Sequence, residues 1–162
     1  MNKELFTSNR DDWGTPSYVY NYLNKEFHFT LDACANKNNY KHEHYYDIAT
    51  NGLTQDWSNE VVFCNPPYGL DQKQWLQKAY DESKNGVTTV FLIPARTDTQ
   101  VFHKYIWGRA AEIRFIYGRI KFEVNRKAQD RAPFPSMIVV YREGTDKTEV
   151  STIDFLGANK NE

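Results

Sequence analysis

The sequence predicts an α/β fold: a mostly parallel, twisted sheet with helices on both faces. Three observations predict it. Runs such as VVFC (61–64) and VFLI (90–93) are too uniformly apolar to be strands with one wet face, which is the signature of a sheet covered on both sides. Segments of helical periodicity alternate with these runs, so parallel strands have the crossover connections they require. Pro and Gly punctuate nearly every junction. At 162 residues the chain matches a single domain of ~150 residues, and its 4 Trp, 11 Tyr and 10 Phe give it the apolar mass of a folded core.

In chain order, Thr15-Pro16 reads as N-cap plus first helical residue, opening a helix with Val19, Tyr22, Leu23 and the stem of Glu26 on one face. Phe27, Phe29 and Leu31 then alternate with polar residues, a strand that ends on the carboxylate of Asp32. A short strand is expected at 44–47, ending at Asp47, and NGLTQDW (51–57) is turn-like, with Asp56 near its end. EVVFC (60–64) is a second apolar strand that runs directly into Asn65-Pro66-Pro67-Tyr68-Gly69, where the prolines stop it.

Asp71 is placed to cap a helix carrying Trp75, Leu76, Ala79 and Tyr80, with Asn85-Gly86 at its C-terminal end. VTTVFLI (87–93) is the next strand, halted by Pro94, and a helix over 98–107 presents Val101, Phe102, Tyr105 and Ile106 before Gly108. EIRFIY (112–117) and SMIVVYR (136–142) close the sheet, and RIKFEV (119–124) reads as a further strand inside the Arg-rich excursion between them. Residues 1–142 are expected to form the single domain, with 143–162 an acidic, partly ordered tail.

The longest apolar runs fall far short of the ~20 residues that cross a bilayer, and residues 1–12 contain no apolar leader segment, so no membrane association is expected and the location is read as cytoplasmic. Two cysteines, Cys34 and Cys64, fit buried thiols in a reducing compartment. Charge is unevenly distributed: residues 96–142 carry ten basic and four acidic residues, whereas 1–95 carry eight and twelve. Seven of the ten are arginines, whose guanidinium forks suit phosphate contacts; the plainer reading of such a stretch is a solvated basic face. His42, Glu43, His44 and Asp47 crowd together, yet no third ligand stands at a recognised metal spacing, and no metal is assigned.

In open parallel sheets ligands bind beyond the carboxyl ends of the strands, where Asp32, Asp56 and the NPPY segment all fall. Each of the two prolines fixes its own φ and forces the residue before it to be extended. The Asn65 side-chain oxygen and the Pro66 carbonyl are thereby presented together, beside the flat face of Tyr68. Two acceptors next to a stacking platform suit a planar ring bearing an NH2 group. Accepting both hydrogens localises the nitrogen lone pair and stabilises the positive charge that grows as the nitrogen attacks an electrophile. With Pro near 5% of residues, a chance match to this tetrapeptide is roughly 0.1% in a chain of this length.

These residues, with the ordered landmarks DWGTP (12–16), LDACA (31–35), NGLTQDW, VFLIPARTDT (90–99), EIRFIYGRIKF (112–122) and APFPSMIVV (132–140), give a resemblance to the phage-type DNA adenine-N6 methyltransferases over about residues 12–142. The resemblance implies a class I (Rossmann-like) methyltransferase fold with a seven-stranded sheet, one strand antiparallel near its end. It implies S-adenosylmethionine as cofactor and double-stranded DNA as partner, in the host cytoplasm if the chain is phage-encoded. The catalytic clamp then maps to Asn65, Pro66, Pro67 and Tyr68, with Asn65 also facing the cofactor. Trp13, Thr15 and Pro16 map to the element that holds the methionine end, and Asp32, Ala33 and Asp56 to cofactor-binding segments. Asp47 is our candidate for the ribose hydroxyls. LDACANKNNY lacks the glycine-rich loop usual in methyltransferases, and 29 residues separate Ala35 from Asn65, so the first crossover helix is expected to be short or absent.

For the substrate, Arg96 stands at a strand end, Arg119, Arg126 and Arg131 lie in the basic stretch, and Phe134 between two prolines is a candidate wall of the base pocket. A salt bridge to Asp98 is the plainer account of Arg96. RNA-base and protein-glutamine methyltransferases share the NPPY chemistry, and a catalytically silent DNA-binding decoy of the same fold is a third alternative. The length-wide landmarks and the arginines favour DNA.

Overall fold

The computed structural model describes residues 13–157. The readings of residues 1–12 and of the last five residues of the tail lie outside the described residues. Six strands form the main sheet: β2 (Leu31–Asp32), β3 (Val61–Cys64), β4 (Thr88–Pro94), β5 (Glu112–Ile116), β8 (Ser136–Tyr141) and β9 (Glu149–Ile153). Their order is β2-β3-β4-β8-β5-β9, with β2, β3 and β4 parallel, β8 antiparallel to both its neighbours, and β9 parallel to β5. A second sheet of three short strands joins β1 (Trp13–Gly14) to β6 (Glu123–Val124) and β7 (Lys127–Ala128).

Alternation along the strands splits the core into two layers. Cys64, Phe91, Ile93, Met137 and Val139 point to one side, where they meet Trp75, Leu76 and Ala79 of α2 (Gln72–Ser83). Phe63, Val90, Leu92, Ile138 and Val140 point to the other, against Val19, Tyr20 and Leu23 of α1 (Ser17–Phe27). Both helices are therefore held by one apolar face on opposite sides of the sheet. Burying each large side chain contributes about 1.5–3 kcal/mol.

Several expectations are corrected. Six strands, not seven, form the main sheet among the described residues, and the antiparallel strand β8 lies inside it with β5 and β9 beyond. The strand expected from Phe27 shortens to Leu31–Asp32, because α1 runs on to Phe27 and His28 turns the chain in a left-handed conformation (φ 56°). Pro16, not Thr15, is the N-cap of α1: its carbonyl accepts from Val19 and Tyr20, and the Thr15 side chain is committed elsewhere. Tyr20 rather than Tyr22 turns inward.

The expected strand at 44–47 is reduced to a single parallel bridge between Asp32 and Tyr45. No helix forms between β2 and β3; one 3-10 turn, Gly52–Thr54, takes its place. The helix expected over 98–107 widens into a π-helical turn, Phe102–Ile106, where Trp107 N–H reaches five residues back to the Phe102 carbonyl at 2.9 Å. Within the acidic stretch after 142, β9 pairs along all of β5. No helix among the described residues is long and apolar enough to cross a membrane.

Candidate active site

Because β2, β3 and β4 are parallel, Asp32, Asn65 and Pro94 all arrive at the same edge of the sheet. Leaving β3, the chain is stiffened by Pro66 and Pro67, and the Asn65 amide is held from both ends. Its Nδ2 donates to Thr15 Oγ1 at 3.2 Å, and its Oδ1 accepts from the Tyr68 hydroxyl at 3.0 Å. No described residue donates to the Pro66 carbonyl. The Tyr68 ring stands edge-on to Trp13, Phe122 and Phe134, with centroids 5.8–6.5 Å away, and burial pushes its hydroxyl pKa up.

Asn65, Pro66, Pro67 and Tyr68 form one wall of a cavity of about 290 Å3. Trp13, Ile48 and Trp75 give it apolar surface, while Asn36, Asn39, Asp47 and Asn51 give it polar groups. Asp47 lines this cavity, and its Oδ1 accepts from Thr50 N and Oγ1, both at 2.9 Å, bonds that hold its carboxyl below the usual range. A much smaller cavity beside it is lined by Thr15, Asp32, Cys34 and Asn65 among others.

Asp32 is 2% exposed. Its Oδ2 accepts from the Lys41 backbone N–H at 3.0 Å, while Oδ1 is buried with no partner. Desolvation pushes its pKa up to about 7, against the opposing pull of N–H groups from Lys41 and Cys34 and of the Lys41 charge.

The remaining expected cofactor residues fall away from the large cavity. Pro16 and Ala33 are buried framework, Ala33 N–H donating to the Phe63 carbonyl at 2.9 Å. Asp56 is exposed and outside both cavities; its Oδ1 closes a local turn with Ser58 N and Oγ at 2.9 and 2.6 Å. Reading the sequence missed Cys34, Asn36, Asn39, Ile48, Asn51, Gly52 and Trp75 as lining residues. The signal for three of them was the run of asparagines in NKNNY and TNG, whose side chains build tight turns: Asn36 N–H to Asn39 Oδ1 at 2.7 Å and Leu53 N–H to Asn51 Oδ1 at 3.2 Å. Trp75 reads as core in any helical pattern, and it is core on one side only.

On the other side of Tyr68 lies an open groove of about 440 Å3, lined by Tyr68, Pro94, Arg96, Phe102 and Met137 and carrying the charges of Lys73, Arg96 and Lys104. Arg96 stands over the Phe134 ring, 5.9 Å from its centroid, instead of pairing with Asp98. Phe134 does not line this groove; 5% exposed, it packs within the aromatic group around Tyr68.

The other arginines are not gathered at this groove. Arg119 and Arg131 line a separate cavity with Tyr18, Tyr117 and Phe155, Arg119 donating to the Ala132 carbonyl at 3.3 Å. Arg126, at the tip of the β6–β7 turn with φ 65°, stacks on Tyr40 at 5.0 Å, and Tyr40 in turn on Tyr45 at 4.8 Å. Among the described residues no three His, Cys, Asp or Glu side chains are grouped to hold a metal. Burial drives the Cys64 thiol pKa well up, which suits a packing role.

The family described as DNA N-6-adenine-methyltransferase (Dam) matches residues 2–160. A relative named DNA N-6-adenine-methyltransferase, from Haemophilus phage HP1 (strain HP1c1), is 28% identical over 138 residues, covering 83% of this chain and 80% of the relative. A strand ending in a proline-stiffened amide and an aromatic platform, at the ligand edge of a mostly parallel sheet, agrees with that match, and the chain belongs to the DNA N-6-adenine-methyltransferase family.

Proposed function

We propose that the chain transfers a methyl group from S-adenosylmethionine to the exocyclic N6 amine of an adenine flipped out of double-stranded DNA. The observation that carries this reading is the position of Tyr68, beside the Asn65 amide and on the wall shared by the first cavity and the cationic groove. A donor on one side and a base on the other would meet at Asn65.

The residues of the first cavity fit the cofactor. Trp13, Ile48 and Trp75 offer flat or apolar surface to an adenosine, and Asp47 offers a carboxylate to ribose hydroxyls. Asp32, with a buried carboxylate oxygen lacking any partner, suits a cationic amine. When bound there, S-adenosylmethionine supplies an electrophilic methyl group.

Asn65 Oδ1 and the Pro66 carbonyl accept the two hydrogens of the target amine, drawing its nitrogen toward tetrahedral geometry and stabilising its developing positive charge. Asn65 Oδ1 has a second lone pair beside the one engaged by Tyr68. Neither acceptor titrates, so the surplus proton leaves after transfer. Tyr68 replaces the stacking that the base loses on leaving the duplex. Arg96 meets the strand at the groove, with Arg119, Arg126 and Arg131 meeting phosphates further out.

The test is nucleoside mass spectrometry on DNA and on RNA, each incubated with the protein and isotopically labelled S-adenosylmethionine. Labelled N6-methyladenine in DNA, reduced at least about a hundredfold by Asn65→Ala, is the expected result. Label confined to RNA, or none in either, would overturn it.

A further inference from the structure

We infer that the cavity at the ends of β5 and β9 is a second DNA-binding site, which holds the sugar-phosphate backbone of the duplex about four to six base pairs from the target adenine. The inference rests on the proposed methyl transfer to DNA.

β5 and β9 run parallel to β3, because β8 reverses direction between β4 and β5. Their carboxyl ends therefore emerge at the same sheet edge as Asn65. Directly after β5, Tyr117 N–H donates to the Ile153 carbonyl at the end of β9, 2.8 Å away, and Tyr117 lines a cavity of about 620 Å3. β5 and β9 stand three and four strands from β3. At ~4.8 Å per strand the cavity lies about 14–19 Å along the edge, which is about four to six steps of a duplex rising about 3.4 Å per base pair.

The lining suits a nucleic-acid backbone. Arg119, Lys121 and Arg131 are exposed there, and among the described residues none of the three forms an ion pair. Other arginines of the same basic stretch are engaged: Arg114 and Arg142 with Glu112, and Arg109 with Gln77. Arg119 gives one N–H to the Ala132 carbonyl at 3.3 Å and has further donors. The acid in the lining, Asp154, has its Oδ1 turned to the N–H groups of Leu156 and Gly157 at 3.1 and 2.7 Å. Beside the cations, Ile116, Phe155 and the Tyr117 ring, 78% exposed, offer apolar surface. Three cations with an apolar surface match a phosphate and the deoxyribose attached to it, and the paired bases stay stacked. A free anion would use the cations and leave the Tyr117 ring without a partner.

The experiment first locates the methylated adenine in plasmid DNA with labelled donor. Synthetic duplexes then carry that adenine with an arm of about three or about ten base pairs on either side, and affinity is read by fluorescence anisotropy beside the KM for duplex. The wild-type protein is expected to gain about tenfold in affinity once the arm on one side reaches past the cavity. Tyr117→Ala is expected to lose about three- to tenfold on the long duplex, with the short-duplex affinity retained. Lys121→Gln is expected to lower the slope of log affinity against log salt by about 1, on the long duplex only. A structural role for either side chain would not depend on duplex length. Wild-type affinity that ignores arm length, or variants that keep the full gain, would overturn the inference. So would a dimeric mass by light scattering that Tyr117→Ala halves, since the cavity would then belong to a second copy of this chain. A wild-type protein that puts no label into plasmid DNA overturns the proposed reaction itself, whereas label without a length effect overturns the second site alone.

Discussion

The Tyr68 hydroxyl donates to Asn65 Oδ1 at 3.0 Å, tying the aromatic platform to the amide that faces it. The two residues therefore contribute separable effects, a ring that stacks and a hydroxyl that holds the amide. Tyr68→Phe keeps the ring and is expected to lower methylation of DNA by about tenfold or less, the scale of one lost hydrogen bond. Tyr68→Ala also removes base stacking, worth about 1–3 kcal/mol, and is expected to cost a further ten- to hundredfold in kcat/KM for DNA. Steady-state methylation at limiting duplex concentration separates the two.

Asp32 makes stability depend on pH. Its folded pKa, about 7, lies above the ordinary aspartate value of 3.8, so the native state holds a proton that the unfolded chain has released. Stability is full below the unfolded value and falls as pH rises toward the folded one, levelling off above about 7. Urea midpoints of the protein without ligand, measured between pH 4 and pH 8, are expected to decline across that window. Asp32→Asn, which cannot ionise, should remove this part of the decline; a variant whose midpoints keep the wild-type slope would show that Asp32 is ionised throughout.

Gly52 packs where no side chain fits. A Cβ there would lie 2.3 Å from the Ala33 carbonyl oxygen and 3.2 Å from the Trp75 ring, in the turn that lines the cavity beside Asn65. Gly52→Ala is expected to destabilise the fold by about 1–3 kcal/mol, seen as a lower melting temperature, and to weaken binding of S-adenosylhomocysteine measured by calorimetry.

Arg126 and Arg131 are both exposed, but only Arg126 is stacked, on Tyr40. Replacing either with Ala is expected to weaken duplex binding and reduce the slope of log affinity against log salt by about 1. Arg126→Ala should also lose the cation–π contact, about 0.5–1 kcal/mol of stability, whereas Arg131→Ala should not. Fluorescence anisotropy across a salt series, beside thermal melts, reads both effects; an unchanged slope would remove these residues from the DNA surface.

Much of this protein follows from local chemistry. Uniformly apolar runs bounded by Pro and Gly marked β3, β4 and β8, because a strand buried on both faces leaves no polar alternation to misread. NPPY was readable for a related reason: two prolines leave the backbone few conformations, so a tetrapeptide specifies its own shape. The helix face of α2 followed from periodicity, and Gly86, with φ 88°, from the need for a left-handed residue after the helix end.

What the tertiary structure alone decided depends on pairing across long separations. The acidic stretch containing β9 looks unstructured by composition, and becomes a strand because β5 offers it a free edge. Asp56 has the local appearance of a ligand-edge carboxylate and is spent on Ser58, while Asn36, Asn39 and Asn51 form the cavity only after their loops fold against β2 and α2. Thr15 carries a capping signal in sequence, yet its hydroxyl accepts from Asn65, fifty residues away, a partner that only the fold supplies. Local patterns report which conformation a segment prefers; which partner its polar atoms find is set by the fold.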